Sequence, residues 1–296
     1  MSEPPAGRDD TAPTVRPVLA QVGQVLGTVV APATLVSALL FYFGYVSARA
    51  QLAYFGVDVD TLGYSTQDFV MRSPQPLLVP TLVLLLATAG LVAADTRARR
   101  WAAAAGDARV RPWVRALTVL GAVLLATALV LLVAYPALRG WAPYALVTPA
   151  LLGTGALLLA RAAVWSPTSP TPRATVVLLA LVVVASVFWA TATLAQQSGT
   201  GQGKALARDL TALPAVVVDT RESQLPGDPT VEESVLPVAD PASPAEYRFR
   251  YRGLRLLAEN DGRLFLVPER WSPAGSTYVL GPDDVRVRFR FVDDPP

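Results

Sequence analysis

Arginine alternates with aromatic or aliphatic residues in two segments near the end of the chain. The segments read YRFRYR at 247–252 and VRVRFRF at 285–291. Because successive side chains of a β-strand point to opposite faces, each segment predicts a strand with one arginine face and one apolar face. We expect the arginine face to bind an anionic partner: lipid phosphates, an acidic wall polymer or an acidic envelope protein. The candidate residues are Arg248, Arg250, Arg252, Arg286, Arg288 and Arg290.

Two other interpretations of these arginines stay open. One is an ordinary half-buried sheet, with aromatics in the core and arginines in water beside acidic neighbours. The other is single-stranded nucleic acid, which basic and aromatic residues together bind. Residues 201–296 contain one Lys, 11 Arg and 15 acidic residues, a net charge near −3. We therefore expect no nucleic-acid partner.

Residues suited to catalysis or metal binding are sparse. The chain has no cysteine and no histidine, which removes the thiol nucleophile and the commonest general base and transition-metal ligand. Asp58 and Asp60 could belong to a cation site, but they lack the rest of a calcium loop, and a solvated loop is the favoured interpretation. Lys204 near Asp209 has no further partner at diagnostic spacing, and no phosphate-binding or nucleophile motif occurs. The sequence predicts no catalytic residue, no cofactor and no metal site.

The composition is that of an integral membrane protein. Hydrophobic residues make up 52% of the 296 residues and charged residues only 16%, against about 25% in soluble domains. The mean hydropathy is +0.40. Five long stretches lack any charge, and a hydrocarbon core about 30 Å thick needs roughly 20 apolar residues of helix. They predict an α-helical membrane domain over 17–198, with spans at about 24–47, 77–95, 116–138, 144–164 and 174–195.

The fourth span is the least regular, because it contains Pro149, Gly153 and Gly155. A re-entrant segment is the alternative to a full span. Gly153 and Ala156 favour a close contact between helices. Arg161, near the end of the span, is expected to extend toward the membrane surface.

The arginines also predict the orientation of the chain. With a cytoplasmic N-terminus, the inner segments 1–16, 96–115 and 161–173 contain ten arginines, and the outer loops contain three, Arg49, Arg72 and Arg139. The positive-inside rule favours this arrangement, which leaves the C-terminal domain extracytoplasmic. Aromatic anchors at the outer helix ends agree with it: Phe41, Tyr42, Phe43, Tyr45, Trp141 and Tyr144.

The outer loop at 49–75 mixes apolar and acidic residues, which indicates an amphipathic segment at headgroup depth. Ser65 and Asp68 have the spacing that caps a short helix through Met71.

The segment over 38–72 resembles uncharacterised multi-pass membrane proteins of actinobacteria, through Tyr54-Phe55-Gly56, Leu62-Gly63, Ser65 and Gln67-Asp68. Two segments near the C-terminus, YRFRYRGLRLL at 247–257 and GRLFLVPERW at 262–271, have a weaker resemblance to the same proteins. The resemblance implies a membrane protein and no known activity. The chain has 24 arginines and only one lysine, a bias that fits a GC-rich genome.

The C-terminal part predicts a small all-β domain over 213–296, an antiparallel sandwich or barrel. Strand-like runs occur at 215–219, 235–238, 247–257, 263–267, 277–280 and 285–292, with a hairpin turn at 259–262. Residues 223–246 predict a surface loop, the glycine-rich 199–212 a flexible linker and 1–16 a disordered tail.

The most economical function for this organisation is binding, sensing or scaffolding at the cell envelope, by an extracytoplasmic β-domain that the lipid-embedded helices anchor. A subunit of a channel or transporter is the alternative, although the five span cores contain no charged residue. A membrane enzyme is the third class. The sequence predicts no oligomeric state.

Overall fold

Helices come first along the chain and strands follow. The computed structural model describes residues 16–138, 140–165, 172–223, 229–237, 247–272, 274–281 and 285–290. The helices in these residues are α1 (Arg16–Ala53), α2 (Thr66–Arg72), α3 (Pro74–Ala105), α4 (Asp107–Val133), α5 (Tyr135–Leu138), α6 (Tyr144–Trp165) and α7 (Arg173–Arg208). The strands are β1 (Ala215–Thr220), β2 (Glu232–Val235), β3 (Phe249–Asn260), β4 (Arg263–Pro268), β5 (Tyr278–Leu280) and β6 (Val285–Phe289). The predicted fold class, a helical membrane domain followed by a small antiparallel β-domain, is confirmed.

Five of the described helices are long and apolar enough to cross a membrane: α1, α3, α4, α6 and α7. The fourth of them, α6, is continuous over 22 residues, which is about 33 Å at 1.5 Å per residue. That length matches the hydrocarbon core, so α6 has the dimensions of a full span rather than a re-entrant segment. The predicted tail at 1–16 lies outside the described residues except for Arg16, which begins α1.

Four of the five spans pack in a row. α4 packs on α6, α6 on α7 and α7 on α1, whereas α3 has fewer contacts with its neighbours. Small residues make the close approaches, since a Cβ on Gly155 would lie 2.9 Å from the backbone nitrogen of Leu125 and one on Gly153 would lie 3.0 Å from Ser186. Ala156 is fully buried. The predicted helix contact at Gly153 and Ala156 is confirmed.

An ion pair joins α3 to α6. Nη1 of Arg161 donates to Asp95 at 2.8 Å, and Nε of Arg99 donates to the same carboxylate at 2.9 Å. The sequence analysis expected Arg161 to extend toward the membrane surface. The structure adds its partner, a carboxylate on a helix 66 residues earlier in the chain at the end of the apolar run of α3, a pairing that local sequence does not reveal.

All strand pairs in the β-domain are antiparallel, and they form one sheet with the order β5-β4-β3-β1-β6. The long strand β3 pairs with β1 along one edge, and β2 and then β4 pair with its other edge. The side chains on one face of the sheet pack together as the apolar core of the β-domain. This core contains Val216, Val218, Tyr251, Leu254, Leu264, Leu266, Leu280 and Val285.

The hairpin between β3 and β4 turns at Asp261 and Gly262, which have φ of 50° and 72°. Two consecutive positive φ values define the tight turn that Asp-Gly favours, and the predicted turn is confirmed. Five of the six predicted strands are present within about three residues of their predicted bounds, over the residues that the structure describes. The second lies at 232–235 rather than 235–238, inside the segment predicted as a surface loop; residues 224–228 and 238–246 of that segment lie outside the described residues.

The segment predicted as a flexible linker differs from the structure. Residues 199–208 continue α7 without a break, and only the short 3₁₀ helix Leu210–Ala212 separates it from β1. The glycines serve helix packing, because a Cβ on Gly199 would collide with the carbonyl oxygen of Ser47 on α1, and one on Gly203 would lie 2.9 Å from Tyr54. Gly199 and Gly203 thus form a small-xxx-small contact between α7 and α1.

Candidate functional site

The register of the sheet brings the predicted arginines to one face. Arg250 of β3 and Arg286 of β6 are the cross-strand partners of Asp219 on β1, and Arg288 is opposite Val217. Directly opposed residues share a face, and so do residues two apart on one strand. This face is the reverse of the one that packs into the core, and we call it the arginine face.

Two of the six arginines are engaged by a buried carboxylate. Arg250 donates to both oxygens of Asp219, at 2.7 and 3.1 Å, and Nη2 of Arg288 donates at 2.7 Å. The Asp219 side chain is only 4% exposed. The bonds from Arg250 are the main cause that lowers the pKa of Asp219; burial opposes them. Arg250 and Arg288 therefore stabilise the sheet, and the sequence analysis did not separate them from the rest.

The other four arginines are exposed: Arg248, Arg252, Arg286 and Arg290. Within the described residues no carboxylate forms an ion pair with them. Glu232 is the cross-strand partner of Arg252 and offsets part of its charge. The arrangement leaves four exposed guanidinium groups around a centre in which one carboxylate offsets part of the charge of Arg250 and Arg288.

The β-domain is docked on the membrane domain through an apolar cluster. Ala258 and Phe265 of the β3–β4 hairpin are buried together with residues of α1 and of the loop that follows it: Ala48, Leu52, Val57, Val59, Leu62 and Phe69. A second cluster joins Val267 to Phe55 and to Leu210, just after α7. We call residues 54–69 the docking loop.

Polar contacts fix the same interface. The side-chain amide of Asn260 donates to the carbonyl oxygen of Leu62, and Oγ1 of Thr277 donates to that of Phe55 at 2.6 Å. The rings of Tyr54 and Trp271 stack with centroids 5.9 Å apart. Because these bonds satisfy backbone carbonyls of the loop, they select one docked position.

The docking loop differs from the predicted amphipathic segment at headgroup depth. Val57, Val59 and Leu62 alternate with the exposed Asp58 and Asp60, as predicted for an amphipathic pattern, but their apolar face is buried against protein. The sequence analysis missed this interface. The only sequence signal for it was the strict alternation of apolar and acidic residues at 57–60. A segment that lies on lipid and a segment that a sheet covers both show this alternation.

The acidic residues of the docking loop have structural roles. Oδ1 of Asp58 accepts from the backbone of Asp60 at 3.2 Å and caps the 3₁₀ helix Val59–Leu62, while Asp60 accepts from the Tyr45 hydroxyl at 3.1 Å. Ser65 and Asp68 form the predicted capping box of α2, and the bonds from Ser65 lower the pKa of Asp68. In the part of the chain that is described, no three His, Cys, Asp or Glu side chains are grouped to hold a metal ion.

An open cleft of about 390 Å³ lies where α6 begins beside α7. Its lining includes Gln196, Gln197, Thr200 and Lys204. Asp209, which the sequence analysis considered beside Lys204, caps the short helix after α7 by accepting from the backbone of Thr211 at 3.1 Å.

Comparison of the chain with protein-family models, with curated proteins and with solved structures finds no match in any of the three.

Proposed function

We propose that this chain is a membrane-anchored binding or scaffolding protein of the cell envelope. Its helices hold an extracytoplasmic β-domain, and the arginine face of that domain binds an anionic partner. The observation that carries the proposal is the docking of the sheet on the α1–α2 connection and on the end of α7. A domain fixed in this way presents one face in a constant direction, which a domain on a flexible tether does not.

The charge distribution supports the extracytoplasmic side. α1 and α7 both end at the β-domain, whereas the connection between α3 and α4 lies at the opposite end of the helices. Residues 96–115, around that connection, contain six arginines. Cytoplasmic loops are the ones enriched in arginine and lysine, so this end is the expected cytoplasmic one.

The height of the sheet favours a partner in the aqueous layer over the lipid surface. The apolar part of α7 ends near Ala195, and the helix continues to Arg208 before the sheet begins. Thirteen residues of helix rise about 20 Å. The headgroup region on one side of a bilayer is only about 5–8 Å thick. Among the candidate partners, an acidic wall polymer or an acidic protein therefore fits the arginine face better than lipid phosphates.

Topology is tested with a single cysteine, since the native chain has none. In Asp261→Cys the new thiol lies in the exposed β3–β4 turn. We expect a membrane-impermeant maleimide to label it in intact cells. As a control, Ala104→Cys, at the opposite end of the helices, is expected to react only after lysis. The reverse pattern would overturn the extracytoplasmic placement.

Binding is tested on the purified full chain in nanodiscs of neutral lipid, with fluorescent poly-glutamate and polyphosphate as probes. We expect Arg248→Glu/Arg290→Glu to weaken binding at least tenfold, because charge-assisted hydrogen bonds are each worth about 1.5–3 kcal/mol. Arg263→Glu/Arg270→Glu makes the same charge change elsewhere in the domain and should retain most of the binding. Equal losses in the two variants, or no binding by the native chain, would contradict a specific arginine face.

A further inference from the structure

The hairpin between α3 and α4 has a second concentration of arginine, at the other end of the helices from the β-domain. Residues 96–115 contain six arginines and one carboxylate. Arg99 is paired with Asp95. The other five are exposed, and no ion pair engages them within the described part of the chain. We call these the hairpin arginines: Arg97, Arg100, Arg109, Arg111 and Arg115.

Helix geometry gives the depth of the hairpin arginines. The apolar run of α3 ends at Ala94, so Arg97 and Arg100 lie three and six residues beyond it, or about 5–9 Å. On α4 the apolar run begins at Ala116, directly after Arg115, and Arg109 is seven residues away, about 10 Å. These distances correspond to the headgroup layer and its edge, within reach of a long arginine side chain.

Two tryptophans lie in the same layer. Trp101 on α3 and Trp113 on α4 have ring centroids 6.0 Å apart. Both rings are substantially exposed, at 41% and 59%. Indole rings concentrate at the membrane–water boundary, where an apolar ring and a polar N–H are both accommodated. The pair therefore indicates that the hairpin meets a lipid surface rather than bulk water.

We propose that the hairpin arginines and the two tryptophans bind anionic phospholipids in the leaflet opposite the β-domain. The occupant is the phosphate of an anionic headgroup, which matches the charge of the cluster and its depth. Each arginine close to such a surface strengthens binding about fivefold. The hairpin and the arginine face would then recognise anions of different kinds on the two sides of one membrane.

The test is native mass spectrometry of the purified full chain, with phosphatidylglycerol and phosphatidylcholine supplied in equal amounts. We expect the native chain to retain phosphatidylglycerol preferentially. Arg100→Gln/Arg109→Gln/Arg111→Gln should reduce that preference at least tenfold. The matched control, Arg221→Gln/Arg263→Gln/Arg270→Gln, removes the same charge from exposed positions of the β-domain outside the arginine face and should leave the preference intact.

Several results would overturn the inference: no preference in the native chain, an unchanged preference in the hairpin variant, or a loss in the control alone. Displacement of the lipid by millimolar inorganic phosphate would identify a free-anion site instead. A second variant, Arg100→Lys/Arg109→Lys/Arg111→Lys, keeps the charge that sets topology. This lysine variant should retain the preference for phosphatidylglycerol. If it lost that preference, recognition by charge at headgroup depth would be contradicted.

Discussion

Asp219 organises the arginine face of the β-domain. Its buried carboxylate accepts three hydrogen bonds from two guanidinium groups on the two neighbouring strands. A buried charge is stable only when it is paired in this way, and removing its partner leaves the other charges uncompensated. The residue is therefore a structural requirement of the sheet, while the four exposed arginines around it are the ones free to act on a partner.

Asp219→Asn should destabilise the β-domain by about 2 kcal/mol, because it replaces charge-assisted hydrogen bonds by weaker neutral ones. The measurement is pulse proteolysis of the full chain in detergent across a urea series. Glu259→Gln makes the same charge change at an exposed position of β3 and should change stability by less than about 0.5 kcal/mol. Similar losses in the two variants would show that Asp219 has no special role.

The same carboxylate makes stability depend on pH in acid. Its pKa is lowered in the folded state, chiefly by the bonds from Arg250. The stabilisation is thus present above the ordinary aspartate pKa of about 3.9, and it is lost as the pH falls through the folded-state pKa. We expect the native β-domain to lose stability below about pH 4 more steeply than Asp219→Asn. Parallel pH profiles of the two proteins would contradict this assignment.

Sequence alone predicted which residues form the arginine face, but not which of them are already engaged. Strict alternation fixes the face, because the side-chain period of a strand is two. The role of Asp219 depends on β1 lying between β3 and β6, and these strands are distant from it in sequence. The only local signal was one acidic residue at the end of the apolar run AVVVD.

At the level of elements, α7 is the part that connects the two domains. It crosses the membrane, continues beside α1 and ends where the sheet begins. The sequence analysis took Gly199 and Gly203 for a flexible linker, because glycine is common both in linkers and at close helix contacts. Their spacing of four residues, which places both on one side of a helix, was the signal that separates the two.

Gly199→Ala and Gly201→Ala should have opposite effects. A Cβ at 199 meets the Ser47 carbonyl, and the forced separation of α7 from α1 should destabilise the protein by about 1–3 kcal/mol. A Cβ at 201 meets nothing within 4 Å, and alanine should stabilise the helix by up to about 1 kcal/mol. Thermal unfolding in one detergent compares the two. Gains in both variants would mean that this stretch is not packed as described.

For the whole molecule, one face of the sheet packs on the core of the β-domain, and the opposite face has two regions: the arginines of β3 and β6, and an apolar region on β4 that docks on the helices. Along β4, Leu264 and Leu266 enter the core of the β-domain, while Phe265 and Val267 contact the membrane domain. The membrane helices followed from long uncharged stretches, the strands from apolar runs and alternation, and the hairpin turn from its residue types. The docking could not be predicted in this way. The near-continuous apolar run of β4 predicts a strand that is buried on both faces, but it does not indicate which element covers each face.

Two adjacent substitutions separate docking from folding. Phe265→Ala should release the β-domain from the docking loop yet leave it folded, whereas Leu266→Ala should unfold it. The reporter is Val59→Cys, at a position that is fully buried in the docked protein. Maleimide should label it faster in the Phe265→Ala background, with the β-domain still resistant to protease. Equal protease sensitivity in both backgrounds would contradict the division of faces.

The contact between Asn260 and Leu62 spans 198 residues of chain. The ribosome therefore makes the docking loop long before the hairpin that covers it. At about 5–20 residues per second the loop waits roughly 10–40 s with its apolar side chains uncovered. Unless the insertion machinery or a chaperone shields the nascent chain at this stage, the apolar face of the docking loop is exposed and prone to aggregation. Interrupted synthesis would leave the helices inserted with that surface permanently bare, which makes such fragments natural substrates for membrane quality-control proteases.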